Sequence, residues 1–214
     1  MFYHEALARI TDLAASLPPD ALLVEVPTCP GWTVHDVVSH LLGVVEDALA
    51  GRLKNPPPSE AQTAEQVARY RDMPMDEMLG RWAAGAPQFE HFIGSYDIWP
   101  AAVDVVSHEQ DIRGALGLPR ARDVAGVREL STKLLENYRP PVPYTVEVED
   151  TAFKCGDDDI ASDLTLRSTY WDVMRWRMGR RSRAQLAGMA WSNNPAPVLD
   201  HMHVFGPSKV DIFE

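Results

Sequence analysis

Cysteine is scarce in this chain: two in 214 residues, Cys29 and Cys155, which excludes a disulfide framework. Long apolar runs are lacking as well. No stretch approaches the roughly 18 consecutive apolar residues that a membrane-spanning helix needs. The opening Met-Phe-Tyr-His-Glu has neither the basic start nor the apolar core of a secretory signal, so a cytoplasmic protein is expected. Positive charge is in deficit too. Asp and Glu number 31 against 20 Lys and Arg, a formal charge of −11. That balance repels a phosphate backbone and argues against general nucleic-acid binding. The basic residues cluster once, at Arg175, Arg177, Arg180, Arg181 and Arg183. A small anion could use that patch, but cations favour helix C-termini, so a solvated helix end is the expected reading.

What is abundant is apolar residue at helical spacing. Hydrophobic residues make up 45% of the chain, enough to bury a sizeable core. Leu7, Ile10, Leu13, Ala14 and Leu17 predict a first helix that Pro18-Pro19 ends. Thr33, followed by Asp36, has the form of a capping box opening a second helix. Its stripe is Val34, Val37, Val38, Leu41, Leu42, Val45 and Leu49. Lys54 to Ser59 reads as an exposed loop, and the polar stretch from Pro56 to Arg71 as a flap or an irregular segment. A third helical region is expected from Glu60 to Tyr96, broken near Met73-Pro74. A fourth is expected from Pro100 to about Leu116 and a fifth from Val124 to Tyr138.

Arg139-Pro140-Pro141-Val142-Pro143 is the expected domain boundary. Downstream the period shifts towards two, at Tyr144–Val148, Ala152–Cys155 and Asp163–Arg167. Trp171, Met174 and Met178 then return to helical spacing as core packing. The expectation is a mainly α protein: an up-and-down four-helix bundle over residues 1–139, then a small α+β domain over 144–214.

Asp104 and His108 are one helical turn apart, so their side chains share a face and can share a cation. Asp111, three further on, can orient an imidazole from behind. His40 lies at the edge of the second helix's apolar stripe, and ligands on neighbouring bundle helices can converge on one ion. Three nitrogen and oxygen ligands leave a position open, as catalytic sites do; zinc is the default, and iron(II) or nickel would accept the same set. The spacing alone also fits an ordinary ion pair. Cys29 precedes the capped helix start, where His35 or His40 could serve as a base, although a buried turn residue is the simpler reading.

Two motifs go further. Thr28-Cys29-Pro30-Gly31-Trp32-Thr33-Val34-His35-Asp36-Val37-Val38-Ser39-His40-Leu41 closely resembles the opening motif of the mycothiol-dependent maleylpyruvate isomerase family. Asp104-x-x-x-His108-x-x-Asp111-Ile112-Arg113-x-Ala115-Leu116-Gly117-x-Pro119 resembles its second. The resemblance implies a DinB-like metal-binding four-helix bundle with a C-terminal α+β unit similar to sterol carrier proteins. It places His40 and His108 at the family's first and last histidine ligands. Asp104 stands where the isomerase itself has glutamate. Trp32 becomes a packing anchor, and Gly179-Arg180 is similar to a family element that would turn Arg180 to the active cleft. The implied activity is a metal-dependent isomerase or S-transferase using a low-molecular-weight thiol, mycothiol, on a small electrophilic substrate. The alternatives are a non-catalytic metal-stabilised ligand-binding or regulatory module, and a metal-dependent hydrolase with Asp111 or Glu109 as base.

Overall fold

The computed structural model describes residues 2–53, 57–149, 151–157 and 159–214. Lys54, Asn55 and Pro56 of the expected loop lie outside the described residues. By packing, the chain divides into two compact units, Met1–Arg120 and Ala121–Glu214.

The first unit is helical: α1 (Phe2–Ala15), α2 (Val34–Leu49), α3 (Glu60–Tyr70), α4 (Met75–Ser95) and α5 (Pro100–Ala115). Helix α2 packs on α3, α4 and α5, while α1 packs on α4 and α5. Four long helices thus form a bundle, with α3 laid along α2. The second helix starts where its capping box predicts: the Thr33 amide donates to Asp36 Oδ2 at 2.8 Å and the Asp36 amide to Thr33 Oγ1 at 3.2 Å. The α2 stripe is buried from Val34 through Val45, and α4, which packs on α2, buries Met78, Trp82 and Phe89. Trp82 Nε1 donates to the Tyr3 hydroxyl at 2.9 Å, which satisfies a buried indole and ties α4 to α1.

Residues 60–70, the opening of the expected third helical region and also read as a flap or an irregular segment, are helical. Ser59 and Gln62 form a second capping box, and Gln66, Val67 and Tyr70 supply the buried face. The break itself falls where Met73-Pro74 sets it, because a proline cannot continue the α3 ladder. Gly43 allows α3 to approach: a Cβ there would stand 2.6 Å from Gln66 Cβ and Cγ. Helix α5 is buried from Val105 through Ile112, polar residues included. Its Glu109 takes both Arg9 (Nε at 2.9 and 3.0 Å, Nη2 at 2.7 Å) and Arg113 (Nε at 3.0 Å), which ties α5 to α1.

The second unit holds α6 (Ala125–Glu136), β1 (Tyr144–Val148), β2 (Thr151–Cys155), β3 (Thr165–Ser168), α7 (Tyr170–Arg177), α8 (Arg183–Ala187) and β4 (Ala190–Trp191). The sheet runs β2-β1-β3-β4; β1 is antiparallel to β2 and parallel to β3, and β3 is antiparallel to β4. Alternation in β1 sends Tyr144, Val146 and Val148 inward, with Val146 in register with Phe153 and Leu166. Helix α6 packs along α7 and touches β2. It therefore stands with the second unit, and the proline-rich 139–143 segment expected as the boundary lies inside that unit. Trp171, Met174 and Met178 are buried, as their spacing predicts.

The arginine cluster departs from expectation. Arg175, Arg177 and Arg180 are buried rather than solvated. Helix α7 is only 8 residues long and is drawn into the core on several faces, so its basic side chains have no open side to leave by.

Candidate metal centre

Helix α5 presents Asp104 and His108 one turn apart, and α2 presents His40 opposite them. Asp104 stands 3.5 Å from both rings, Oδ2 to His40 Nε2 and Oδ1 to His108 Nε2. These separations are too long for good hydrogen bonds. One ligand atom from each of the three residues lies within 4.8 Å of the others. Among the described residues no fourth histidine, cysteine or carboxylate joins that set.

The protonation of both rings follows from their neighbours. Gln66 Nε2 donates to Asp47 Oδ2 at 2.9 Å, because a carboxylate can only accept. That leaves Gln66 Oε1 as the acceptor facing His40 Nδ1, also at 2.9 Å, so Nδ1 carries the His40 proton and Nε2 keeps a lone pair. Asp47 is in turn held by Arg52 at 2.6 Å and Arg69 at 2.7 Å. Burial works against its charge, but those bonds outweigh it and hold the carboxyl below its usual value. On α5, His108 Nδ1 lies 3.1 Å from Asp111 Oδ2, which places the proton on Nδ1 there as well. With Nδ1 so committed on each ring, both histidines turn Nε2 to Asp104, and a cation at that point would take the place of any proton there.

Electrostatics reinforce the arrangement. Burial alone would lower the His108 pKa; Cys29, Asp104 and Asp111 outweigh it and, in the metal-free chain, push the ring up to about 10. Positive charge is favoured at this spot. Trp32 closes one side, with its ring 5.2 Å from His40 and 6.4 Å from His108. Cys29 Sγ approaches His108 at Nδ1 (3.8 Å) and donates to Asp111 Oδ2 (3.7 Å), so it lies on the ring edge away from Nε2. His35, the other base considered for Cys29, is instead bonded to the Met73 carbonyl at 2.9 Å. Glu109 is locked between Arg9 and Arg113 and is not available as a base.

A family model, the mycothiol maleylpyruvate isomerase N-terminal domain, matches residues 3–124, more than half of the chain. The chain belongs to the mycothiol maleylpyruvate isomerase family. The crystal structure of the mycothiol-dependent maleylpyruvate isomerase aligns over 89% of this chain and 90% of that one, with a TM-score of 0.52 and 13% identity. A histidine-to-alanine mutant of that enzyme aligns over the same shares at a TM-score of 0.51 and 13% identity. At that identity the likeness establishes the fold. No curated protein matches the chain.

The family's two motifs thus bring His40, Asp104, His108 and Asp111 together. Arg180 belongs to the second unit, where it is buried and donates to the Met178 carbonyl at 2.5 Å. Sequence reasoning missed Gln66 and the side of His108 that Cys29 takes. A signal for Gln66 existed: it shares the buried face of α3 with Val67 and Tyr70, at positions i, i+1 and i+4.

Proposed function

We propose that this protein is a metal-dependent enzyme of thiol chemistry, with His40 Nε2, His108 Nε2 and the Asp104 carboxylate as ligands to one divalent ion, zinc by donor type. The observation that carries the reading is the pair of histidines whose Nδ1 protons are committed to Gln66 and Asp111, leaving both Nε2 atoms facing Asp104 at 3.5 Å. Adjacent ligand atoms of a tetrahedral ion with bonds of about 2.0–2.1 Å stand roughly 3.3–3.4 Å apart, close to that spacing. A divalent ion held there supplies Lewis acidity, which lowers the pKa of a coordinated thiol and favours its thiolate near neutral pH.

The chain's own residues do the rest. Gln66, anchored by Asp47, fixes the His40 tautomer, and Asp111 fixes that of His108; such outer bonds also raise ligand basicity. Trp32 covers the two rings and keeps water from that side. Cys29, on the Nδ1 edge of His108, does not close the ligand set, so a position stays open for a small molecule. The family's name points to mycothiol as the thiol, and a small electrophile is the partner that a thiolate attacks. Addition, rotation and elimination would isomerise a double bond; displacement would leave a thioether, as in an S-transferase. Asp104 in place of the isomerase's glutamate shortens the carboxylate arm and leaves both outcomes open to this site.

The test is elemental analysis of wild type beside His40→Ala and His108→Ala, followed by thiol-transfer assays. About one ion per chain, lost in both variants together with thiol-dependent turnover, is the expected result. A His108→Ala variant with normal metal content and full thiol-dependent activity sinks the assignment. Activity that needs the metal but no thiol would move the protein to the hydrolases.

A further inference from the structure

Helix α7 buries Arg175 completely, at 0% exposure, with its guanidinium 5.4 Å from the Trp171 ring. Its fork is taken by the Glu214 carboxylate, which accepts from Nε at 3.0 Å and from Nη2. Arg181 adds a third bond, Nη1 to Glu214 Oε2 at 2.8 Å. Burial works against the charged Glu214, but the two arginines outweigh it and keep its carboxyl below its usual value.

The other acids near these arginines sit on or beside regular elements of the unit. Asp172 of α7 pairs with Arg181 Nη2 at 3.1 Å, and Glu149, just after β1, pairs with Arg128 at 3.2 Å. Glu214 comes instead from segment 207–214, which has neither helix nor strand. Phe213 beside it is 85% exposed and Val210 is 58% exposed, while Ile212 and the Glu214 carboxylate turn inward and the Ser208 amide donates to the Arg181 carbonyl at 3.0 Å. The segment is held as a receptor holds a short peptide. Gln185 brackets the Ile212 backbone, with Nε2 to its carbonyl at 2.7 Å and Oε1 accepting its amide at 3.0 Å, and Ser182 donates to Asp211. Beside the fork is a cleft of about 530 Å³ whose walls carry Arg122, Arg128 and Arg181 together with Asp123, Glu149 and Asp172, a size suited to a small ligand. The Arg122 guanidinium lies 5.0 Å over the same Trp171 ring.

We propose that Arg175 and Arg181 form a carboxylate-binding fork of the second unit, which Glu214 fills from within the chain and a small carboxylic acid fills when segment 207–214 lifts away. A bidentate arginine fork selects planar anions, and a buried guanidinium strongly disfavours standing unpaired, so the segment leaves as the acid arrives. Wild type therefore binds such acids against its own intramolecular competitor.

Calorimetric titration of the full chain with propionate, which has the shape of a glutamate side chain, tests this at constant ionic strength in chloride. Glu214→Ala should bind propionate at least about tenfold tighter than wild type, because the tethered competitor is gone. Adding Arg181→Met should weaken that binding at least about tenfold, the loss of one charge-assisted bond. A folded Glu214→Ala that takes up no propionate, or that matches wild type, overturns the proposal. If Glu214→Ala does not fold, Glu214→Gln keeps the shape without the charge, and the same order of affinities is expected. Failure of both to fold makes Glu214 a structural pin and overturns the proposal as well.

Discussion

Replacing Gln66 with leucine tests the centre without touching a ligand. The amide is fully buried and makes two bonds of 2.9 Å, accepting from His40 Nδ1 and donating to Asp47 Oδ2. Leucine has nearly the same volume, so the contact with Gly43 and the packing of α3 on α2 survive. Asp47 keeps Arg52 and Arg69 and loses little. His40 loses the Nδ1 acceptor that Gln66 supplies in a site where it is 5% exposed, and a buried donor left unsatisfied costs about 1–3 kcal/mol. The ring is then free to rotate or to carry its proton on Nε2. A comparable loss of an outer-shell partner lowers metal affinity by roughly 10–100-fold. Competition with a chelator reads the affinity, and thermal melting of the metal-free protein reads the stability. A folded Gln66→Leu whose metal affinity stays within about twofold of wild type refutes the reasoning, since such a partner is expected to matter by at least tenfold.

Gly43→Ala should drive the new methyl into Gln66, 2.6 Å away, and destabilise the first unit by about 1–3 kcal/mol while weakening metal binding. A lowered melting temperature with an unchanged chelator midpoint would show that the seat of α3 does not matter to the centre. Glu109→Gln should cost about 1–3 kcal/mol of stability by removing the charge between Arg9 and Arg113 and leave metal content intact; loss of all turnover in a stable variant would restore Glu109 as a base. Burial raises Cys155 from 9.0 to about 12 and Tyr138 from 10.0 to about 12. The folded chain therefore holds protons that the unfolded chain gives up, so stability is full below about pH 9 and falls as pH rises towards 12. The urea midpoint should drop between pH 8 and 10.5, and less so in Cys155→Ala; equal drops would remove Cys155 from the account.

The local elements were readable because their signals are local. Thr33 and Asp36 mark the start of α2, Met73-Pro74 the gap before α4, and strict alternation the β1 strand at Tyr144–Val148. Segment 60–70 was less readable, since its polar composition hid a narrow buried face; the Ser59–Gln62 box was there to be seen. The Ser182–Gln185 box likewise announces α8, whereas β4, two residues long, has no pattern of its own and exists through pairing with β3. At the centre, the one-turn spacing of Asp104 and His108 and the place of His40 at the edge of the α2 stripe were matters of helix geometry, and the motif resemblance joined the three.

Sequence alone determined which residues can cap, alternate and share a helical face, because those depend on backbone period and nearest neighbours. Tertiary structure decided everything that depends on distant partners. It chose the proton-bearing nitrogen of each histidine, through Gln66 on α3 and Asp111 on α5. It placed Cys29 on the far edge of His108. It also turned an arginine cluster that reads as a solvated helix end into a buried fork closed by Glu214, 39 residues away from Arg175 in sequence. Hydrogen bonds and desolvation act over a few ångströms of space, and no periodicity along the chain records which remote side chain will supply them.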